Sequence, residues 1–323
     1  MRRGRLWSLF FVPPMIIYGK NQSGGADMGY FLALAAVFFW SFNLIVASYF
    51  ATTLMPFEIA FGRWLVASLI LVPAAWAGIK QNYRLLLDNW PLIATLAVTG
   101  IVLDNTLIYY AGRTASAVNM GVLDVTGPIF LVILTRIFRK IEIRPQQIAG
   151  LAIAVLGVLV IILRGDFTRL GQMKLVSGDF WMLLNTFCFA VYSLLQSKRP
   201  AAVSQPVFLA ATAVLGVIIL FPLMWWEVGE KRLLTMNGED LAVLVYLGIF
   251  NSVISYLAWN TALAKIGNVK TSIIYYLLPI FSGAEAYFIL NEHIYASQVW
   301  GGLLVVGGIA MVSLTGGKEQ TQA

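Results

Sequence analysis

The 34 residues PIFLVILTRIFRKIEIRPQQIAGLAIAVLGVLVI at positions 128–161 recur in diverged form at positions 279–312 as PIFSGAEAYFILNEHIYASQVWGGLLVVGGIAMV. The two stretches align without a gap at an offset of 151, and eight of the 34 positions are identical. The identities include one proline and two glycines, which shared hydrophobicity alone would not place in register. The chain therefore contains an internal repeat.

The repeat extends upstream, where the offset becomes 149. The aligned identities there are Gly29 with Gly178, Phe31 with Phe180, and Phe38 with Phe187. Each unit holds five predicted helices, and an odd number of spans inserts the second unit upside down relative to the first. The loop 139–144 carries three lysines or arginines and its counterpart 290–295 carries none, as expected if the two loops lie on opposite sides of the membrane. We expect a first unit over 29–163 and a second over 178–315.

Composition predicts an all-α integral membrane protein. Hydrophobic residues make up 59% of the 323 residues and charged residues 11%, whereas soluble domains carry about 25% charged residues. Continuous apolar runs exclude an outer-membrane barrel, whose strands alternate apolar and polar residues. Ten segments have the length of a transmembrane helix: 29–50, 56–78, 91–111, 117–138, 147–163, 178–197, 205–226, 241–263, 271–290 and 297–315.

The net charge of +7 is explained by membrane topology. With the amino terminus placed in the cytoplasm, 15 of the 22 lysines and arginines fall on the cytoplasmic side, six fall outside, and Arg63 lies within a span. The positive-inside rule then predicts a protein of the inner membrane with both termini cytoplasmic, and no nucleic-acid partner.

The two ends of the chain lie outside the repeats. Three arginines precede an apolar run over 6–18 that Pro13 and Pro14 interrupt, and no convincing cleavage site follows. We expect residues 1–27 to form a poorly structured or interfacial extension and residues 316–323 a cytoplasmic tail.

Four ionisable residues lie inside apolar segments: Arg63, Asp104, Asp124 and Glu285. Each costs at least about 2.5 kcal/mol at a bilayer centre, so such groups usually line a water-filled path or a ligand site. Helix rise places all four roughly 7–11 Å below the outer boundary. The alternative is structural: a closed salt bridge from Arg63 to Asp104 or Asp124, or snorkelling of Arg63 and Glu285 to the interface.

These features resemble the EamA-type members of the drug/metabolite transporter superfamily. The resemblance covers about residues 29–315 and rests on short motifs in order: Trp40-Ser41, Arg63-Trp64, Tyr110-Ala111, the paired Pro-Ile-Phe segments and Asn291-Glu292. The first repeat departs from the last motif with Arg139-Lys140-Ile141-Glu142. The resemblance implies ten helices, of which 1, 3, 4, 6, 8 and 9 surround a central cavity. It also implies transport of small organic molecules, often outward.

Polar and aromatic residues on these helices complete a predicted substrate site with Asp104 and Asp124. They are Trp40, Asn43, Asn105, Ser255, Tyr275 and Tyr276. The 151-residue offset pairs Tyr275 with Asp124, which places a phenol opposite a carboxylate across the pseudo-two-fold axis. For a single aromatic residue, lipid-facing packing is the competing interpretation.

Gating and coupling are assigned to Arg63, Glu285, Pro128 and Pro279. The two prolines occupy equivalent positions, each removes a backbone hydrogen bond, and both are predicted hinges. If transport uses a proton gradient, Glu285 is the predicted proton carrier, because its helix has no basic residue. Glycines of the fifth and tenth helices are predicted to serve helix packing, within a monomer or at a weak dimer interface.

The favoured function is a secondary transporter that exports small organic metabolites such as amino acids by alternating access. Import or facilitated exchange of the same substrates is the alternative within transport. A membrane-embedded enzyme on lipid-linked substrates is the alternative of another class, and a scaffold is a third. No phosphate-binding glycine motif is present, and Cys188 and His293 provide no converging metal ligands. We expect no enzyme activity, cofactor or metal.

Overall fold

A computed structural model describes residues 23–50, 54–115, 117–233, 237–290, 293 and 295–314. These residues form helices joined by turns and short connections. The helices are α1 (Ser23–Phe50), α2 (Pro56–Asp88), α3 (Trp90–Gly112), α4 (Ala117–Asp124 and Thr126–Arg139), α5 (Pro145–Ile162), α6 (Ser177–Gln196), α7 (Gln205–Leu233), α8 (Gly238–Tyr246, Leu247–Ile254 and Ser255–Ile274), α9 (Tyr275–Leu277 and Leu278–Leu290) and α10 (Ala296–Leu314). A short helix, Thr168–Gln172, connects α5 to α6.

Nine helical segments within the described ranges are long and apolar enough to cross a membrane. The prediction of an all-α integral membrane protein is thereby confirmed. One of the nine segments, Gly238–Glu285, has 48 residues and runs through α8 into α9. Its backbone leaves the helical region at Gly267, where φ is 80° and ψ is 167°. This left-handed φ is readily adopted by glycine because glycine has no Cβ.

Several helices extend beyond their predicted bounds, and α1 and α2 show this most simply. α1 begins at Ser23, so residues 23–27 of the predicted extension are helical, while residues 1–22 and the predicted tail 316–323 lie outside the described residues. α2 continues to Asp88, ten residues beyond the predicted end at 78. Residues 79–88 are more polar but contain no helix breaker, so the helix runs on until Asn89, before the Trp90-Pro91 pair.

α5 and α10, which are counterparts in the two repeats, begin with the same side-chain hydrogen bond. The Arg144 N–H donates to Gln147 Oε1 at 2.8 Å, and the Tyr295 N–H donates to Gln298 Oε1 at 2.8 Å. Both bonds satisfy a backbone donor at a helix start, where no intrahelical acceptor is available. The identical glutamines 151 residues apart therefore perform the same capping function.

α5 and α10 pack at backbone distance through glycines. A Cβ atom at Gly150 would lie 2.7 Å from the carbonyl oxygen of Gly308, and one at Gly157 would lie 2.6 Å from that of Gly301. The partner number falls as the α5 number rises, so the two helices run antiparallel. These four glycines contact one another within a single chain, as small residues at membrane helix interfaces do.

α4 and α9 are both interrupted shortly before a proline. α4 breaks at Val125, between Asp124 and Thr126, and Pro128 follows. α9 begins as a 3-10 turn over Tyr275–Leu277, and Pro279 follows. Proline has no N–H to donate to the carbonyl four residues earlier, which explains a break at this position. Both interruptions lie where the helices reach the middle of the bundle.

The glycine contact generates a stability prediction. Gly308→Ala should lower the free energy of unfolding by about 1–3 kcal/mol, because the added methyl has no space against Gly150 and Ala154. Gly307→Ala is the matched control, since a Cβ there meets nothing within 4 Å. Thermal unfolding in detergent measures both variants. Equal unfolding temperatures would contradict backbone contact between α5 and α10.

Candidate functional site

A cavity of about 400 Å³ extends from one end of the bundle to its middle; we call it the upper cavity. Its mouth lies where α2 and α4 begin and where α3 ends. The mouth residues are Leu54, Pro56, Gly112, Arg113 and Ala115. Glu227 of α7 joins two helices at this end, because it accepts hydrogen bonds from the Phe57 N–H at 2.8 Å and the Tyr110 hydroxyl at 2.7 Å.

Aromatic rings form the floor of the upper cavity. Trp40 lies at their centre, with its ring 5.4 Å from Phe189, 5.6 Å from Tyr256 and 6.3 Å from Tyr275 between centroids. The Trp40 Nε1–H donates to the Asn251 carbonyl at 3.1 Å, which holds the indole in place. Beyond the floor, buried apolar side chains of α1, α4, α6 and α8 fill the bundle.

Asp104 lies at the side of this floor and is strongly hydrogen-bonded. The Tyr256 hydroxyl donates to its Oδ2 at 2.8 Å, with the Gly100 carbonyl as a second acceptor at 2.7 Å. Asn185 Nδ2 lies 3.2 Å from Oδ1 and also bonds the Asp104 carbonyl. The two hydrogens of the Asn105 amide go to the Tyr256 oxygen and the Gly100 carbonyl, both at 2.9 Å, and the Asp104 carboxylate lies 3.3 Å from the same nitrogen. Asp104 is thus held by donors from two other helices, α6 and α8.

Asp124 has far fewer partners than Asp104. The Tyr275 hydroxyl donates to its Oδ1 at 3.4 Å, and no other hydrogen bond to its carboxylate is made by the described residues. Both carboxylates line the same cavity. Asp124 therefore has more free acceptor capacity for a ligand, while Asp104 has less.

Arg63 enters the cavity from α2 with its side chain almost fully buried. Its Nε donates to the Ser252 hydroxyl at 2.9 Å and its Nη1 to the Tyr109 hydroxyl at 3.4 Å. Within the described ranges no carboxylate lies within 4.0 Å of the guanidinium. The predicted salt bridge to Asp104 or Asp124 is absent from this part of the chain, and burial excludes snorkelling. The Nη2 group makes no hydrogen bond to the described residues.

Glu285 lies outside both the floor and the cavity wall. The Ser41 hydroxyl of α1 donates to Glu285 Oε1 at 2.8 Å, and Oε2 accepts no hydrogen bond from the described residues. The exposed fraction of its side chain is 8%, so this carboxylate also does not reach the interface. Its predicted role in proton coupling stays a prediction.

The remaining predicted site residues divide into two groups. Trp40, Asn105, Tyr275, Tyr276 and Pro279 line the upper cavity. Tyr276 also donates to the Val125 carbonyl at 2.9 Å. Pro128 lines a second, smaller cavity, whose wall also includes Asp104 and Asp124.

Ser255 does not line either cavity and is a correction to the predicted site. It is fully buried, and its hydroxyl donates at 2.8 Å to the Phe250 carbonyl, which also accepts the backbone N–H of Ser255 at the end of the π-helical stretch Leu247–Ile254. The side chain of Asn43 lies outside the described residues.

Sequence reasoning missed three residues that shape the site: Asn185, Phe189 and Tyr256. The repeat offsets contained a signal for two of them. Phe189 is the counterpart of Trp40 at an offset of 149, and Tyr256 is the counterpart of Asn105 at 151. Both pairs are in contact, with 5.4 Å between ring centroids in the first and a 2.9 Å hydrogen bond in the second. Asn185 had no such signal.

The model of the EamA-like transporter family matches this chain twice, over residues 27–163 and 176–314. The chain therefore belongs to the EamA-like transporter family. The two matches coincide with the two halves of the internal repeat. The predicted resemblance to this family is confirmed.

Similar proteins support the same assignment. An uncharacterized transporter of Archaeoglobus fulgidus is 28% identical over 275 residues, covering 85% of this chain and 93% of the relative. A probable amino-acid metabolite efflux pump of Salmonella typhimurium is 24% identical, covering 86% of this chain and 92% of the pump. One crystal structure has a TM-score of 0.70 at 18% identity, covering 91% of this chain and 98% of the other, which is a likeness of fold.

Membership of this family and the apolar helices define a multi-pass membrane transporter, so we interpret the site described above as a transport site. The partners of such a protein are a small-molecule substrate and the lipid bilayer. The chemistry available in the upper cavity is recognition of a ligand by two guanidinium groups, two carboxylates, phenols and an apolar wall. Pockets of about 300–1,000 Å³ with few polar groups are typical of small-ligand sites.

The Asp104 network generates a second prediction. Tyr256→Phe should lower the free energy of unfolding by about 1–3 kcal/mol, because Asp104 loses a donor and Asn105 loses an acceptor inside the bundle. Tyr287→Phe is the matched control, since Tyr287 is 44% exposed. Thermal unfolding of both variants in the same detergent provides the comparison. A Tyr256→Phe protein as stable as the control would show that this hydroxyl is dispensable.

Proposed function

We propose that this protein is a secondary transporter of the inner membrane that exports small organic metabolites, such as amino acids, by alternating access. The observation that carries the proposal is the upper cavity: it opens at one end of the bundle, reaches buried charges of both signs and ends at an aromatic floor. A site reached from one side of a membrane and closed to the other is what alternating access requires.

Ten spans in two inverted repeats are part of the proposal. At 1.5 Å per residue a 48-residue helix would be about 72 Å long, more than twice the hydrocarbon thickness of about 30 Å. The break at Gly267 supports two spans in place of one. The antiparallel packing of α5 against α10 supports inversion, because these two helices are counterparts in the repeats.

Contacts between counterpart residues support a pseudo-two-fold axis through the site. Residues related by such an axis can touch only where they lie close to it. Hydrogen bonds join Asp124 to Tyr275 and the Val125 carbonyl to Tyr276, and in both the partners are 151 positions apart. The Asn105–Tyr256 bond has the same separation. Substrate near this axis would lie between the two repeats, as in other inverted-repeat transporters.

The distribution of basic residues supports an outward-facing cavity. With both termini in the cytoplasm, the mouth between the start of α2 and the end of α3 faces outward. The apolar layer beyond the aromatic floor then closes the cytoplasmic side. In this proposal, export requires the floor to open inward while the mouth closes, and the interrupted helices α4 and α9 are the proposed hinges at Pro128 and Pro279.

An amino-acid-like zwitterion fits the charges of the upper cavity. The free Nη2 of Arg63 would bind a carboxylate, and Asp124 would accept an ammonium group, since it has the weaker protein partners of the two aspartates. The side chain would lie against the apolar wall, which includes Ile108, Met120 and Ile162. The name of the Salmonella relative, a probable amino-acid metabolite efflux pump, is in accord with this class.

Cysteine accessibility tests the topology. In a Cys188→Ala background, single cysteines at Gln172 and Gly229 should react with an impermeant thiol reagent from outside, and cysteines at Gln81, Lys140 and Lys198 should react from inside. Reaction of a cysteine at position 140 from outside would overturn both the orientation and the inverted repeat.

Asp124→Asn tests the substrate site. The amide keeps the shape of the side chain and removes its charge, so uptake of labelled amino acids into proteoliposomes should fall by about tenfold or more, equivalent to the loss of about 1.4 kcal/mol or more. Purified wild-type protein screened with amino acids, amines and organic acids identifies the class.

Asp166→Asn is the matched control, because Asp166 lies in the exposed loop after α5. Hydrogen bonds from the Thr168 hydroxyl and amide lower the pKa of Asp166, so it is charged at neutral pH and its replacement removes an equal charge. Uptake by Asp124→Asn equal to the control would make Asp124 a packing residue and contradict the proposed site.

A further inference from the structure

A second, much smaller cavity lies directly beneath the upper cavity; we call it the lower cavity. Its volume is about 30 Å³, and it shares Asp104, Asp124 and Asn185 with the upper cavity. Thr186 of α6 and Ser272 of α8 add two hydroxyl groups to its wall. The lower cavity thus continues the upper one past the two carboxylates.

The polar groups around the lower cavity are mainly hydrogen-bond acceptors. The Ser272 hydroxyl donates its hydrogen to the Val269 carbonyl at 2.9 Å, and the Thr186 hydroxyl donates to the Leu183 carbonyl at 3.0 Å. Each hydroxyl has only one hydrogen, so both oxygens keep lone pairs for a ligand. Together with two carboxylates, these oxygens form a wall that favours a positively charged occupant.

Asn185 provides an independent indication of a ligand. Its side chain is 95% buried, since its exposed fraction is 5%. Its Nδ2 bonds the Asp104 carboxylate and carbonyl, which are both acceptors, so the orientation of the amide is determined. Its Oδ1 accepts no hydrogen bond from the described residues, although it belongs to a side chain that lines the lower cavity. This oxygen is not among the side-chain atoms that the protein encloses completely, so it is accessible from the cavity and available to a ligand there.

Charge and size narrow the class of ligand. Arg113 is exposed to solvent at the mouth, whereas Arg63, Asp104 and Asp124 line the inner part of the cavity. These three carry a net charge of −1 when all are ionised, and an uncompensated charge inside a membrane protein is strongly unfavourable. One monovalent cation restores neutrality. A volume of about 30 Å³ admits a single small ion or water molecule and excludes organic groups.

We propose that the lower cavity is a binding site for one Na⁺ ion, held between the carboxylates of Asp104 and Asp124. The Asn185 amide oxygen and the hydroxyl oxygens of Thr186 and Ser272 complete an all-oxygen ligand set, which hard cations prefer. Asp104 is fixed by its hydrogen bonds and provides a rigid wall, while Asp124 can turn towards either cavity.

The ion site deepens the proposed transport function and rests on it for one consequence. Asp124 would be shared between the ion and the ammonium group of a substrate, so the two would compete. Competition for one carboxylate couples inward movement of the ion to outward movement of the substrate. Ion binding itself does not depend on which substrate is transported.

Binding of ²²Na⁺ to the purified full-length protein in detergent, without substrate, tests the site. The wild-type protein should bind the ion saturably, and unlabelled Na⁺ should displace it far better than K⁺ at equal ionic strength. Asp124→Asn should weaken binding by more than about tenfold, and Thr186→Val by about fivefold through loss of one oxygen ligand. Asp166→Asn should bind as the wild type does.

In the binding assay, the proposal would be overturned by no saturable ²²Na⁺ binding to folded wild-type protein, or by wild-type affinity in both Asp124→Asn and Thr186→Val. Transport driven by a pH gradient without ²²Na⁺ binding would also overturn it, since a proton would then be the coupling ion. Size-exclusion chromatography and thermal unfolding report whether each variant folds. If Asp124→Asn fails to fold, the Na⁺ affinity of Thr186→Val alone tests the site. Na⁺ binding without amino-acid transport would leave the ion site intact and refute only the proposed substrate.

Discussion

The hydrogen-bond network around Asp104 is the interaction on which the centre of this protein depends. A carboxylate in the middle of an apolar bundle is unfavourable unless donors surround it. Tyr256 of α8 and Asn185 of α6 both belong to the second half of the chain, whereas Asp104 belongs to the first. The need to satisfy one acid therefore joins the two halves at the depth where the cavities lie.

Local departures from the α-helix make this network geometrically feasible. The π-helical stretch Ala97–Leu103 ends immediately before Asp104, and the stretch Leu247–Ile254 ends immediately before Ser255. Side chains bond to backbone carbonyls inside these stretches: Asn105 donates to the Gly100 carbonyl at 2.9 Å, and Trp40 donates to the Asn251 carbonyl at 3.1 Å. π-bulges are frequent at functional sites.

The two halves of the chain repeat in sequence, but their charged residues differ. Asp104 and Asp124 have Ser255 and Tyr275 as counterparts at the 151-residue offset. All the charged side chains that line the upper cavity come from the first half, and the second half contributes phenols that bond to the aspartates. In the proposed alternating-access mechanism the two repeats exchange conformations, while the unequal distribution of charged residues between them makes the site itself asymmetric.

The sequence by itself determined the membrane class, the repeat and the pairing of Asp124 with Tyr275, which are in contact. Hydropathy and internal identity can be read without knowing how helices pack. Only the tertiary structure decided which residues bond to Arg63, that Ser255 does not line the site and that Asn185 does. These depend on how each helix is rotated about its axis, and a π-helical turn or a proline break shifts the face that every later residue presents. The buried charges were evident from the sequence; which neutral groups would satisfy them was decided by packing.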